Sequence, residues 1–401
     1  MKVLACFSHG NGPLARCLDF LSSYYGSRGS DNEDLEIYLP LNRVSISLQR
    51  ILKGFEDILN LRNGQKISIF LLPELWSILN QLPSLGVVDY NNYLEMQLSI
   101  LPNIQQGINN LVFRPLQVIS YDTHMESSVT WDKIDFAITR ELPFTLPIMT
   151  YELGFGPQSE ILTDYKRSVS LNVELNLSFL IDMYKEAESS RTISFLSIPS
   201  SIYSIETKCE NLKDARYRLI PPIISKKTHC NQRLTGSLFS FESGLSAYVY
   251  ISGTGIIEQR IIDKLALLSR QWQISFHSNN SSLLGFGGYW DPHDLAALSP
   301  TFIIARVGWG ITWTALFSQI PLIALPITVL DDPEITCNTK RLIESKLALP
   351  LSILETFNRS RLFEYLAENI DAQHRTFNIL LDRFGTIYGQ DVATTMLDSY
   401  S

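Results

Sequence analysis

The stretch that decides the fold is Thr301–Pro326, T-F-I-I-A-R-V-G-W-G-I-T-W-T-A-L-F-S-Q-I-P-L-I-A-L-P. It opens on a β-branched and aromatic run and closes on a second apolar run ending in proline. Between the two lie an arginine, two glycines and a segment of helical character. The order reads strand, glycine turn, helix, strand. A turn of this kind delivers a helix N-terminus to the C-terminal end of a strand, where unpaired backbone N–H groups and the positive end of the helix dipole face outward. Glycine lets an anion approach those amides closely, and an arginine beside them adds a donor fork suited to phosphate.

The same order recurs on either side. Ala247–Ser252 reads as a strand, Gly253–Gly255 as a turn, Ile256–Gln271 as a helix and Trp272–His277 as the next strand. The glycine-rich run Leu284–Tyr289 leads to a short helix over Asp291–Leu298. The amino-terminal half opens alike, with a strand at Val3–Phe7, a turn at Ser8–Pro13 and a helix over Leu14–Tyr25. Further helices are predicted over Ser45–Leu61, Leu72–Leu82, Asn172–Ser189 and Thr376–Leu397, and further strands over Lys66–Leu71, Gln117–Tyr121 and Phe136–Thr139. Such alternation argues for parallel sheets covered on both faces. The pair Pro221–Pro222 breaks the pattern and marks a boundary. The expected division is residues 1–217, residues 225–375, and a C-terminal helix over 376–401 that returns to the first domain.

Bulk properties agree with a globular α/β chain. The 401 residues are 45% hydrophobic and 18% charged, and they suit two domains or one large one. A net charge of −8 gains nothing from the field of a nucleic-acid backbone. The five cysteines include no C-x-x-C pair, which argues against a zinc site or a disulfide framework and fits a reducing compartment. The N-terminus reads as a first strand, not as a signal peptide, and no run reaches the ~20 apolar residues of a membrane span, so the expected location is cytoplasmic.

The run from Val307 to Pro326 resembles the nucleotide-sugar signature of glycosyltransferases with the GT-B fold. That signature reads roughly H/R-x-G-x-G-T-x-x-E-A-x-x-x-G-x-P-x-x-x-x-P. It belongs to the bacterial peptidoglycan-lipid N-acetylglucosaminyltransferase and to small-molecule and antibiotic-pathway enzymes. W-D-P-H-D-L-A-A-L upstream and D-P-E-I-T-C-N downstream resemble the family's base-proximal loop and sugar-contacting segment. The likeness covers Tyr248–Ser345; the first half shares only its opening unit and its size. The resemblance implies two doubly wound Rossmann-like α/β domains facing a cleft, a nucleoside-diphosphate sugar as donor, a hydroxyl-bearing acceptor, inversion at the anomeric carbon, and no metal or resident cofactor.

Carried over residue by residue, the resemblance sets Arg306 against the pyrophosphate, with Gly308 and Gly310 as the signature glycines. Asp332 then meets the donor sugar. Trp309, Ile311, Thr312, Thr314 and Asp331 complete the donor set, and Gly253, Thr254 and Gly255 join it by the helix-terminus argument, although a plain tight turn is the preferred reading of that last trio. Thr314 stands where the family has a glutamate for the ribose hydroxyls, and threonine offers one hydroxyl in place of two carboxylate oxygens. Trp309 and Trp313 either stack on a base or fill the core. In the first half, His9 is the expected base that deprotonates the acceptor, because an imidazole titrates near neutrality; the alternative is a histidine that pins its own loop. Asp122, at the end of a predicted strand on the same sheet edge, is the candidate that would orient it. Gly10, Asn11 and Gly12 are the expected acceptor-side residues. Two other readings stand beside transfer: a nucleotide-sugar epimerase, and a non-catalytic homologue that binds a nucleotide-sugar or a partner.

Overall fold

The computed structural model describes residues 1–7, 11–27, 34–43, 49, 51–55, 66–82, 90–140, 142–154, 157–167, 171–196, 216–224, 226, 244–251, 259–279, 295–328, 331, 333–356 and 358–399. The chain divides into two compact units. One comprises Met1–Ser84, Asn91–Ile224 and Thr386–Ser401, and the other Leu85–Tyr90 and Ser225–Gly385.

The first unit is built on a nine-stranded sheet. Its strands are β1 (Lys2–Phe7), β2 (Leu35–Leu39), β3 (Ile67–Leu71), β4 (Leu116–Ser120), β5 (Glu126–Val129), β6 (Phe136–Arg140), β7 (Thr150–Gly154), β8 (Ile193–Leu196) and β9 (Tyr217–Leu219), in the spatial order β5-β4-β3-β2-β1-β6-β7-β8-β9. The run from β3 to β9 is parallel. The chain winds one way from β1 to β3 and the other way from β6 onward, so the topological switch point falls between β1 and β6. The helices are α1 (Asn11–Ser27), α2 (Pro73–Leu79), α3 (Tyr90–Val112), α4 (Gln158–Lys166) and α5 (Leu171–Ser189). Helix α1 buries Leu14, Cys17, Leu18, Leu21 and Tyr25 at helical spacing against alternate residues of the central strands, among them Val3, Ala5, Ile37 and Ile138.

The second unit carries a five-stranded parallel sheet. Its strands are β10 (Ser246–Tyr250), β11 (Ser275–Ser278), β12 (Phe302–Ala305), β13 (Leu322–Ala324) and β14 (Leu349–Pro350), ordered β11-β10-β12-β13-β14. Its helices are α6 (Gln259–Trp272), α7 (Leu295–Leu298), α8 (Trp309–Ser318), α9 (Pro333–Glu344) and α10 (Arg359–Phe384). The switch point here lies between β10 and β12. Helix α8 buries Trp309, Ile311, Thr312, Trp313 and all of Ala315–Ser318. Such a helix has almost no polar face, which is why it follows a strand so tightly and leads so soon into the next. It ends at Gln319 in the left-handed conformation (φ 53°), two residues before Pro321. Buried amides on α10 close the sheet's loose ends: Asn369 Oδ1 accepts from Leu322 N (3.1 Å), its Nδ2 donates to Lys346 O (2.7 Å), and Gln373 Nε2 donates to Ile320 O (2.9 Å).

Three expectations are corrected. The first sheet is not wholly parallel, because β4 and β5 form an antiparallel hairpin at its edge. Tyr217–Leu219 pairs with β8, so the first unit continues past residue 217 to Ile224. The C-terminal segment 376–401 is not one helix: Gly385 adopts a left-handed φ of 68° and ends α10, and α11 (Gly389–Asp398) follows as a separate helix of the first unit. Helix α3 spans Tyr90–Val112 with Pro102 inside it, a helix the sequence pattern does not predict. Of the helix predicted over Ser45–Leu61, residues 51–55 are helical and most of the rest lies outside the described residues.

Helix α11 is fastened within the first unit by the segment that carries Pro221 and Pro222. Gly389 N donates to Pro222 O (2.9 Å). Gln390 Nε2 donates to Ile224 O (2.7 Å), and its Oε1 accepts from Ile224 N (3.4 Å). Arg16 Nη1 on α1 donates to Ile223 O (2.5 Å), and Ser23 Oγ donates to Asp391 Oδ1 (2.6 Å).

Candidate functional site

The site builds outward from the C-terminal end of β12, next to the switch point of the second sheet. Strand β12 is fully buried, so the chain leaves it as a rigid element and Arg306 is the first residue beyond it. Gly308 N donates back to Arg306 O (2.8 Å), which tightens the turn. Gly308 is the N-cap of α8, with φ −70° and ψ 160°, a conformation open to any residue. A Cβ added there meets only Ile335 Cδ1, at 3.4 Å. Neither backbone strain nor crowding in the fold demands glycine at this position.

The first α-helical bond of α8 runs from Thr312 N to Gly308 O (3.2 Å). The amides of Gly310 and Ile311, just before it in the first turn, have no acceptor among the described residues. Gly310 is exposed, so its edge of the helix start is open to a ligand. The two threonine hydroxyls are turned into the helix: Thr312 Oγ1 donates to Gly308 O and Thr314 Oγ1 to Gly310 O, both at 2.9 Å. Thr314 therefore offers lone pairs only. Trp309 and Trp313 are buried and stacked, with ring centroids 5.9 Å apart and planes 20° from parallel, so they fill the core beneath the helix.

Helix α9 brackets the same turn. Ile335 packs at Gly308, and Asn338 Nδ2 donates to Val307 O (3.4 Å). The segment between β13 and α9 supplies a buried polar set. Arg306, 7% exposed, lies with Nε 3.1 Å from Asp331 Oδ1, an ion pair whose angle is not that of a hydrogen bond. Arg306 Nη2 donates to Thr328 Oγ1 (3.1 Å). Asp331 Oδ2 accepts from Thr328 N (2.7 Å) and from Thr328 Oγ1 (3.1 Å). With its side chain 1% exposed, Asp331 is turned toward Arg306 and Thr328. Thr328 is a member of this set that the sequence reading missed. Its signal is a threonine three residues before an aspartate in a loop, the spacing at which an Asx or Ser/Thr side chain bonds its own backbone.

In the first unit, β1 ends at the switch point and α1 begins at Asn11, so Asn11 and Gly12 lie in the first turn of that helix. Arg140, at the end of β6, stands opposite Phe7 in register. His9, Gly10, Gly253, Thr254, Gly255 and Asp332 lie outside the described residues.

Asp122 does not share a sheet edge with the C-terminal end of β1. Strand β4 runs antiparallel to β3, pairing Leu71 with Ile119, and Tyr121 N bonds to Ile69 O. The chain therefore heads toward the N-terminal ends of the parallel strands, and the registers set Asp122 at the level of Ser68, Glu36 and Lys2. Phe7, the last residue of β1, lies about 17 Å further along the strand axis and three strands, about 14 Å, across. Asp122 is exposed in the β4–β5 turn. The expectation fails because it took β4 for a parallel strand.

Two doubly wound Rossmann-like units, one nine-stranded with a central parallel run and one five-stranded, are the architecture of the GT-B fold, and this chain has that fold. Solved structures that share it are glycosyltransferases. They include the Phytolacca americana UGT2 in complex with UDP-2-fluoro-glucose and pterostilbene (12% identity, TM-score 0.58, covering 100% of this chain and 99% of that one). A UDP-glucosyltransferase from Polygonum tinctorium capable of glucosylating indoxyl matches at 14% identity and TM-score 0.59, covering 99% and 98%. SnogD from Streptomyces nogalater matches at 14% and 0.52, covering 100% and 99%. No family model and no curated protein matches the chain by sequence.

Proposed function

We propose that this protein is a glycosyltransferase that moves a sugar from a nucleoside-diphosphate sugar to a hydroxyl-bearing acceptor. The observation that carries the reading is the start of α8: unbonded amides at Gly310 and Ile311, beside the switch point of a parallel sheet, after a glycine that the fold does not need. The diphosphate sits on those amides, with the Arg306 guanidinium behind them. The complex of UGT2 with UDP-2-fluoro-glucose and pterostilbene, a phenol, supports a nucleotide donor and a hydroxyl acceptor.

The transfer is a direct displacement. The acceptor oxygen forms a bond to the anomeric carbon, and the bond from that carbon to the diphosphate oxygen breaks with its electron pair on the diphosphate, which inverts the centre. His9 takes the acceptor proton, and the α8 amides with Arg306 stabilise the charge that develops on the departing diphosphate. Residues around β1 and the start of α1, at the first unit's switch point, hold the acceptor.

The test is release of nucleoside diphosphate from UDP- and dTDP-sugars in the presence of phenolic and sugar acceptors. Release that depends on acceptor supports transfer. Binding of the nucleotide without release supports the second reading, a non-catalytic homologue. That reading has one observation of its own, the Thr314 hydroxyl turned into Gly310 O where the resemblance leads to a glutamate.

A further inference from the structure

We propose that Asp331 is a positioning and charge-tuning residue that holds Arg306 with one arm toward the diphosphate and weakens its grip, so that the nucleoside diphosphate product leaves. This rests on the reading of the α8 start as the nucleotide site. The guanidinium is more than nine-tenths buried and has three nitrogens with separate fates. Nε faces Asp331 Oδ1 at 3.1 Å, Nη2 donates to Thr328 Oγ1 at 3.1 Å, and Nη1 has no partner among the described residues. Nη1 is also not among the nitrogens that are both sealed from solvent and unbonded. One arm of the fork is therefore left for a ligand, at the strand end that leads into Gly308 and α8.

The partner oxygens explain how the arm is held. Asp331 Oδ2 is fixed by Thr328 N and Oγ1, which leaves Oδ1 to face the guanidinium. Thr328 holds both members, as donor to the carboxylate and acceptor from the guanidinium. A full carboxylate at 3.1 Å cancels much of the charge of Arg306 as seen by an anion on Nη1. A diphosphate bound there meets a donor with fixed direction and little net charge. Direction serves recognition, while low charge limits how tightly the liberated product is retained.

Asparagine at 331 separates the two roles. Its oxygen keeps the bond from Thr328 N, while its amide nitrogen turns toward Nε, where two donors repel and Arg306 regains its full charge. The experiment is calorimetric titration of wild type and Asp331→Asn with UDP and with dTDP at 25 and 250 mM KCl, with thermal unfolding of each protein alongside. The expected result is about tenfold tighter binding by Asp331→Asn at low salt, most of it lost at high salt because the restored charge is screened. Asp331→Ala, which also leaves Arg306 uncompensated, moves the same way and covers the case in which the asparagine variant does not fold. A folded variant that binds with wild-type or weaker affinity overturns the proposal, as does failure of both variants to fold, which makes the pair purely structural. If wild type binds neither nucleotide, the functional reading itself fails.

Discussion

Replacing Gly389 with alanine is expected to destabilise the first unit severely, and the size follows from one distance. A Cβ built on Gly389 lies 1.9 Å from Pro221 O, 2.8 Å from Pro221 C and 3.0 Å from Pro222 C. Ordinary carbon–oxygen contact needs about 3.2 Å, so helix and proline segment must part by more than about 1 Å, and backbone cannot yield as a side-chain tip does. That shift acts on the bond from Gly389 N to Pro222 O and on the pair between Gln390 and Ile224. Overpacking costs roughly 1–3 kcal/mol and each of the three buried hydrogen bonds about 1 kcal/mol, so the sum is about 4–6 kcal/mol. For a unit of this size each kcal/mol moves Tm by about 2–4 °C, which gives a fall on the order of 10 °C. The control is Gly385→Ala. Gly385 has φ 68° with nothing within 4 Å of its Cβ, so only backbone strain of about 1 kcal/mol is introduced. Calorimetric scans of the three proteins test the reasoning. A Gly389→Ala protein that melts within 2 °C of wild type, or no lower than Gly385→Ala, refutes it.

Two further outcomes follow from buried ionisable groups. Burial pushes the Glu188 carboxyl up to about 7, aided by the charge of Glu152 and opposed by hydrogen bonds from Ser159 N (3.1 Å) and Oγ (2.6 Å). Its folded value lies above its unfolded one, so the folded state binds the proton more tightly. Stability from this group is then full below about pH 4.5 and is lost as pH rises through 7, by as much as about 3 kcal/mol. Glu188→Gln should flatten that slope in denaturant midpoints taken from pH 5 to 8, and an unchanged slope counts against the assignment. Burial also pushes the Cys6 and Cys17 thiols up to about 12. In the native protein at pH 8 iodoacetamide should modify the partly exposed Cys337 while sparing Cys6 and Cys17, as read by peptide mass; rapid labelling of either of the latter would contradict their burial.

The second unit was the more legible in sequence, for a physical reason. Strands β12 and β13 are short and buried at every residue and β10 at its three central ones, so they appear as unbroken apolar runs, and α8 is bounded by Gly308 and Pro321. The first unit hid more. Helix α3 carries buried Leu94, Gln97, Leu101, Ile104, Ile108 and Leu111 at helical spacing, yet Pro102 and Gly107 inside it argue locally against a helix. The hairpin of β4 and β5 has an exposed second strand, E-S-S-V, with little apolar content to announce it. Missing it reversed the direction assumed for the chain at Asp122. In the site, the glycine spacing was readable because it lies within one short stretch of sequence between a strand and a helix. The pairing of Arg306 with Asp331 across 25 residues was not, since nothing in either residue's neighbourhood specifies which loop β13 will bring back to β12.

The most direct test of the account is nucleotide binding by Gly308→Val. The backbone at 308 is open to a β-branched residue, and its Cβ meets only Ile335 Cδ1 at an ordinary contact distance. The variant should lose no more than about 1 kcal/mol, a few °C in Tm, because the position is half-buried and valine is a poorer N-cap than glycine. Its side chain stands where the diphosphate must approach the amides of α8. Calorimetric titration with UDP and dTDP should therefore show binding by wild type and at least a tenfold loss in the variant. Wild-type affinity in a folded Gly308→Val protein would contradict the central claim.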